Sequence, residues 1–353
     1  RTGKQTELIE FYKVLATGSK MVTKLGINGF GRIGRLCLRA ALENPDVEVV
    51  AINGTSAPES LAHLLKYDSV HGKLNKQIET TEDQIIIDGQ VIQILSDRNP
   101  TNLPWGDLDV DIVIEATGQF RTGESCQVHL DNGAQKVIIT APAKNEDITI
   151  VLGVNETDYN PDKHHIISNA SCTTNCLAPI AKVINDQFGI ISGFMTTIHA
   201  FTTDQRSLDN RHKDLRRARG FTQSMIPTTT GAAKSVGVVI PELKGKLNGI
   251  SVRVPVANVS LVDLVVELKE EVTIEKINQS LEEASQGSLK NILGYCREPL
   301  VSIDFLGDSR SAIVDSLSTM VIDPHLAKIL AWYDNEWGYS CRVIDLAAYI
   351  SKQ

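Results

Sequence analysis

Three glycines constrain this chain more than any other feature of its sequence. The run Gly29-Phe30-Gly31-Arg32-Ile33-Gly34 follows a short apolar stretch, KLGIN, and opens a helical period, RIGRLCLRAALEN, that stops before Pro45. A G-x-G-x-x-G pattern between a strand and a helix is the turn of a dinucleotide-binding βαβ unit. The first glycine permits the tight turn, the second lets the backbone approach a pyrophosphate, and the third lets the helix pack on its strand; the phosphates then sit at the helix N-terminus. Asn28, Gly29, Phe30, Gly31, Arg32, Ile33 and Gly34 are therefore candidate cofactor-binding residues.

The next segments extend the same pattern. VEVVAIN (47–53) reads as a strand, SLAHLLKY as a helix, QIIIDGQVIQIL as a hairpin around Asp88-Gly89, and VDIVIEATG and KVIITAP as buried strands. Short apolar runs alternating with helical periods predict a wound α/β unit, here with six strands. After about residue 170 the texture changes. SCTTNCLAPIAKVINDQFG reads as a helix, GFMTTIHAFT, GISVRVPV and SLVDLVVELK as longer strands, and VIDLAAYI as an amphipathic closing helix. Between the first two of these strands lies a polar segment, 203–225, with four arginines within 211–219; loops of that length in compact enzymes are usually functional. Residues 1–20 precede Met21 and end in Thr17-Gly18-Ser19, which reads as an appendage, either a tag or an accessory segment.

Charge and cysteine content narrow the function. A net charge of −8 over 353 residues gives no long-range attraction for nucleic acid, so anion binding must be local. No apolar run is long enough to span a bilayer, and a soluble protein is expected. Six cysteines are too few in a chain of this length for a disulfide framework, and one of them is a candidate nucleophile.

Ser171-Cys172-Thr173-Thr174-Asn175-Cys176 opens a predicted helix after the strand-like HHIISNA. A helix N-terminus favours a thiolate, which makes Cys172 the better nucleophile, while Cys176 lies one turn deeper. Zinc is a poor reading because no second Cys/His pair completes four ligands, and no metal is expected. His199 stands on the following apolar strand, and an imidazole there can take the thiol proton. At the end of the second strand, where an acidic residue ordinarily holds the adenosine ribose, the chain has Asn53-Gly54-Thr55-Ser56. The missing carboxylate removes the main barrier to a 2′-phosphate.

Taken together, INGFGRIGR, SNASCTTNC, DLRRAR, IPTTTGAAK, KGKLNG and WYDNEWGYS resemble, in order, the phosphorylating glyceraldehyde-3-phosphate dehydrogenases, and the likeness covers nearly all of the chain from Met21. The resemblance implies an N-terminal Rossmann dinucleotide-binding domain (21–170) and an α+β catalytic domain with a mixed, largely antiparallel sheet (171–334). It also implies a C-terminal helix (335–353) returning to the first domain. It implies a homotetramer acting on a small-molecule substrate and inorganic phosphate, in glycolysis or gluconeogenesis, cytoplasmic or alternatively in a plastid stroma. Cys172 would attack the aldehyde, with His199 as base. Thr202 and Arg253 would hold the substrate phosphate; Ser171, Thr173, Thr230 and Gly231 would surround inorganic phosphate, with Arg217 shared between them. Asn335 would contact the nicotinamide carboxamide.

Two departures from NAD-using relatives bear on the cofactor. Gly54 stands where they commonly carry Asp, and Asn210-Arg211 where they carry Leu-Pro, in a loop that in this family reaches the neighbouring subunit's adenosine ribose. Both predict NADP preference or use of NADP and NAD alike, with Asn53, Gly54, Thr55, Asn210 and Arg211 at that end of the cofactor. Erythrose-4-phosphate dehydrogenase is the closest rival, but the intact Thr229-Thr230-Gly231 favours phosphate as the acyl acceptor. A catalytically idle binding protein is opposed by the intact Cys172 and His199.

Overall fold

The computed structural model describes residues 22–353, so the expected appendage lies outside the described residues. The first half of the chain forms β1 (Thr23–Asn28), β2 (Val47–Asn53), β3 (Ile78–Thr80), β4 (Gln84–Ile87), β5 (Gln90–Leu95), β6 (Ile112–Glu115), β7 (Lys136–Ile139), β8 (Ile148–Thr149) and β9 (Ile166–Ser168). They lie in the order β8-β9-β7-β6-β1-β2-β5-β4-β3, parallel from β8 to β5 and antiparallel at the β3 edge. The sheet thus has nine strands where the sequence pattern predicts six. Two of the additions, β3 and β8, are three residues or shorter, too short to carry a period of their own, and the third, β9, falls in the strand-like HHIISNA, outside the six. The predicted hairpin joins β4 to β5, with Asp88 and Gly89 both at positive φ (49° and 90°), the turn geometry that matches strand twist.

Parallel strands covered on both faces are apolar throughout, and Leu25 and Ile27 of β1 are fully buried. One face carries α1 (Arg32–Ala41), α2 (Pro58–Lys66) and the C-terminal helix; the other packs around Trp105, Cys126 of α3 (Gly123–Asp131) and Val137.

The glycines of the turn have three separate steric reasons. Gly29 has φ +98°, and a Cβ there would meet the Thr117 amide nitrogen at 2.7 Å. At Gly34 a Cβ would lie 2.1 Å from the Gly29 carbonyl oxygen, whereas Gly31 faces open space. Close packing at Gly34 and an accessible backbone at Gly31 are what a bound pyrophosphate requires.

The second sheet begins after α4 (Cys172–Phe188). It comprises β10 (Ile190–Ala200), β11 (Ile226–Thr229), β12 (Leu247–Val254), β13 (Ser260–Leu268), β14 (Leu293–Cys296), β15 (Ala312–Asp315), β16 (Met320–Asp323) and β17 (Leu326–Tyr333). Its order is β11-β12-β10-β13-β17-β15-β14, with β16 beside β17; only β10/β12 and β14/β15 are parallel. One face is covered by α4, α5 (Ala232–Val239) and α6 (Ile274–Gln286). The final helix, α7 (Trp337–Ile350), packs on α1 and β2. Sequence predicts it as amphipathic, but only the stripe Cys341, Asp345, Tyr349 and its first residue are less than fully buried. Wedged against the first sheet and also touching α4, it has almost no solvent face to keep polar.

Replacing Gly34 by Ala drives a Cβ into backbone and is expected to lower the thermal midpoint by more than ~5 °C, the scale of a severe core clash. Gly31→Ala meets nothing and is expected to cost less than half as much; differential scanning calorimetry of the two variants checks the contrast.

Candidate active site

Ala170, at φ +55°, turns the chain from β9 into α4, and its carbonyl accepts a hydrogen bond from the Tyr339 hydroxyl at 2.9 Å. Ser171 caps the helix by accepting from the Thr174 amide at 3.0 Å. Cys172 is the first helical residue, so it stands among amides with no intrahelical acceptor, and it packs against the cores of both sheets. Its Sγ lies 3.5 Å from Nε2 of His199, near the end of β10. The Nδ1 of that ring is 2.7 Å from the Ala200 carbonyl oxygen. Donation from Nδ1–H to that carbonyl leaves the Nε2 lone pair facing the thiol.

Arg253 pairs with His199 across β10/β12, and its Nη1 lies 3.0 Å from Nδ1, 3.3 Å from the Ala200 oxygen and 3.5 Å from Thr202 Oγ1. Burial, reinforced by this guanidinium, pushes the His199 pKa down to about 3. Burial raises the Cys172 thiol, while Arg253 and the first-turn hydrogen bonds act against that rise. The resting pair is thus a thiol beside a neutral imidazole aimed to take its proton.

Tyr333, which sequence reasoning missed, ties the two elements together. Its hydroxyl bonds both Thr173 Oγ1 and Thr197 Oγ1 at 2.8 Å, and its ring stands edge-on to His199. This also amends the expectation for Thr173, whose buried hydroxyl faces Tyr333 and leaves its first-turn amide for an anion.

The remaining anion candidates divide. Arg253 has a buried Nε with no hydrogen-bond partner among the described residues, a cationic donor next to Thr202. Thr230 and Gly231 stand at the N-terminus of α5, the Thr230 hydroxyl accepting from the Ala232 amide at 3.2 Å. Arg217 reaches the same strand, donating to Thr228 Oγ1 at 2.9 Å and the Thr229 carbonyl at 3.2 Å, and it is paired with Asp204 at 2.5 Å.

A cleft of about 410 Å³ opens at the C-terminal ends of the first sheet's strands, where wound α/β sheets bind ligands. Asn28, Gly29, Phe30, Gly31, Asn53, Gly54, Thr55 and Ser56, all singled out in the sequence, line it; Asp97, Arg98 and Thr117, which also line it, were not. Asn53 donates to Asn28 Oδ1 at 2.8 Å, and Asn28 donates to buried Glu115 at 2.6 Å, so these side chains brace the cleft floor. Glu115 also takes the Thr117 amide and His129 Nε2, a ring whose Nδ1 accepts from Trp105. Arg32 and Ile33 follow Gly31 into α1, and the Arg32 guanidinium is engaged by Asp68 and Glu336. Asn335 is buried, its Oδ1 accepting from Ser260 Oγ at 2.7 Å. Asn210 and Arg211 are exposed and do not line the cleft of their own chain. Among the described residues no group of three or more His, Cys, Asp or Glu could hold a metal ion, and no helix is long and apolar enough to cross a membrane.

Comparison with known proteins gives the same order of parts. Residues 23–123 match the family model described as glyceraldehyde 3-phosphate dehydrogenase, NAD binding domain, and residues 171–335 match that of its C-terminal domain. The chain is 60% identical over 333 residues to glyceraldehyde-3-phosphate dehydrogenase of Geobacillus stearothermophilus, covering 94% of this chain and 99% of the relative. It is 57% identical over 332 residues to glyceraldehyde-3-phosphate dehydrogenase 1 of Bacillus cereus, with the same coverage. With glyceraldehyde-3-phosphate dehydrogenase 2 of Trichormus variabilis it shares 56% over 333 residues, again 94% and 99%.

With the imidazole removed, the thiol loses its nearest proton acceptor. In His199→Asn the pH profile of iodoacetamide alkylation at Cys172 is expected to move to higher pH, with the rate at pH 7 falling at least ~10-fold. Mass spectrometry of the labelled peptide against pH measures both.

Proposed function

The chain belongs to the glyceraldehyde-3-phosphate dehydrogenase family, and from that premise we propose that it oxidises glyceraldehyde 3-phosphate with inorganic phosphate to 1,3-bisphosphoglycerate through Cys172, reversibly, with NADP as the preferred cofactor. The observation that carries the reaction is the Cys172 Sγ facing the His199 Nε2 at 3.5 Å beside the cationic Arg253. The thiol sulfur adds to the aldehyde carbon, its proton passing by way of Nε2 to the carbonyl oxygen, so that a hemithioacetal forms and Nε2 is free again. His199 then takes the hydroxyl proton as hydride departs from the same carbon, which leaves a thioester. The dinucleotide supplies the hydride acceptor. Attack by a phosphate oxygen on the thioester carbon breaks the C–S bond and returns the sulfur as thiolate.

Two anion positions follow from the donors. The unpartnered Arg253 Nε and the Thr202 hydroxyl suit the substrate phosphate; the first-turn amides of α4, with Ser171 and Thr173, and the α5 N-terminus at Thr230 and Gly231 suit inorganic phosphate. Arg217, held by Asp204, lies beside that second group. Asn335, whose Oδ1 is occupied by Ser260, presents its amide nitrogen to the nicotinamide carboxamide.

NADP use is supported by what lines the adenosine end of the cleft. Gly54 supplies no carboxylate, Thr55 and Ser56 are hydroxyl donors, and the Asp97 carboxylate is turned to the Asn99 amide and Asn102 side chain. Arg98 also lines this end, exposed and with no salt-bridge partner among the described residues. Asn210 and Arg211 are exposed and do not line the cleft of their own chain, so a contact with a cofactor would be made in a neighbouring subunit of the homotetramer that the resemblance implies. Phe194 and Ile250, 72% and 50% exposed on the uncovered face of the second sheet, with Leu208, Leu215 and Met225, give such an assembly apolar surface to bury.

Initial rates with glyceraldehyde 3-phosphate are expected to depend on phosphate and to be faster with NADP than with NAD at matched subsaturating concentrations. Gly54→Asp is expected to reverse that preference, because it sets a carboxylate against the 2′-phosphate; its Cβ needs only Leu61, 3.0 Å away, to yield slightly. A phosphate-independent rate, or equal rates before and after Gly54→Asp, would overturn the respective half of the proposal.

A further inference from the structure

A partly buried ion cluster that takes no part in the proton transfer joins the glycine turn to the segment that carries Asn335. Arg32, the first residue of α1, grips Glu336 with two donors, Nε to Oε1 at 2.8 Å and Nη2 to Oε2 at 2.5 Å. The same guanidinium holds Asp68, Nη1 to Oδ2 at 2.7 Å and Nη2 to Oδ1 at 3.2 Å. Asp68 sits in a short ribbon, Tyr67–Asp68 against Gly72–Lys73, and is held down at about 2; burial opposes this, but the His71 and Val70 amides and Arg32 outweigh it. From that ribbon His71 Nε2 comes within 3.1 Å of Glu336 and 3.4 Å of the Asn258 side-chain nitrogen. Four of the five N–H donors of the Arg32 guanidinium are thus engaged by two carboxylates.

The cluster's position gives it a different use. Arg32 begins the helix whose N-terminus is the open backbone at Gly31. Glu336 directly follows Asn335, and on the other side of Asn335 the Asp334 carboxylate accepts from Asn258 Nδ2 at 2.7 Å, from the Gly307 amide at 2.8 Å, and from the Glu336 and Trp337 amides at 3.0 and 2.8 Å. Asn335 is thus pinned from both sides, and its Ser260 partner in turn accepts from the Ala200 amide, next to His199.

We propose that Glu336 is a positioning residue for the dinucleotide: by gripping Arg32 it fixes the separation between the pyrophosphate turn and the Asn335 carboxamide, so that one cofactor meets both at once. The inference rests on the reading of Asn335 as the nicotinamide contact. A bidentate guanidinium–carboxylate pair fixes orientation as well as distance, which a single contact does not. Preorganising two subsites raises affinity for a ligand spanning both and leaves a ligand of one subsite almost untouched.

The test compares such ligands by isothermal titration of the full chain. In Glu336→Gln the Kd for NADP and for NAD is expected to rise at least ~10-fold while that for ADP-ribose, which lacks the nicotinamide, changes less than ~3-fold. Arg32→Met should do the same, and the double variant should lose no more than either single one. Equal losses for dinucleotide and ADP-ribose, no loss for either, or additive losses would overturn the proposal and leave a merely structural ion pair. Asn335→Ala separates the premise from the inference. If it weakens the dinucleotides selectively and Glu336→Gln does not, the clamp alone is refuted; if it does not, the nicotinamide reading fails and the clamp with it. Should Glu336→Gln not fold, Glu336→Asp, which withdraws the carboxylate by one methylene, is expected to give a smaller loss of the same selectivity, and an unselective loss there refutes the clamp.

Discussion

The return of the last helix to the first sheet is the constraint on which the rest of this structure depends. α7 is buried almost all round, with Val343, Leu346 and Ala347 at zero accessibility in the core beneath the nucleotide turn. Its Tyr339 hydroxyl reaches the Ala170 carbonyl, at the left-handed residue that turns the chain into α4. A chain that has built one sheet, left it and built another is thereby locked back onto its beginning. The turn that presents Cys172 is thus held by a residue from the far end of the sequence. Burial of this many apolar side chains far outweighs any single polar contact at the junction. The hydrogen bonds and ion pairs there specify geometry.

That geometry places an electrostatic conflict where it is useful. His199, Cys172 and Arg253 are crowded into a region with little water, where each charged form is penalised by burial. The neutral imidazole and neutral thiol that result are a proton acceptor and a proton donor held 3.5 Å apart. Arg253 brings positive charge with a buried Nε that has no hydrogen-bond partner among the described residues, and an entering phosphate monoester would relieve that cost. The family assignment and the site's electrostatics therefore point to the same substrate chemistry from independent directions.

Much of the fold was legible because its signals are local. The glycine run, the Asp88-Gly89 turn and the helical period that opens at Ser171-Cys172 each act within a few residues, and the elements they predict are present. The short strands β3 and β8 were not legible, since pairing with a neighbour and not their own pattern makes them strands. Within the candidate site, Cys172 and the turn stood out by residue type and place. Tyr333 did not, since a tyrosine in an apolar strand looks like core until Thr173 and Thr197, 160 and 136 positions away, converge on its hydroxyl. The same holds for Glu336, whose partner Arg32 is 304 residues distant.

By itself the sequence determined that a dinucleotide turn comes first, that a cysteine begins a helix near the middle, and that no carboxylate follows β2, because each depends only on residue identity and short-range backbone geometry. The tertiary structure alone decided that His199 meets Cys172 with its Nε2 free, that the Thr173 hydroxyl turns inward, and that Arg32 is spent on Asp68 and Glu336. These are pairings between groups distant in the chain. Which of them form is set by sheet register and by the packing of helices between two cores, and neither is written in any local stretch of residues.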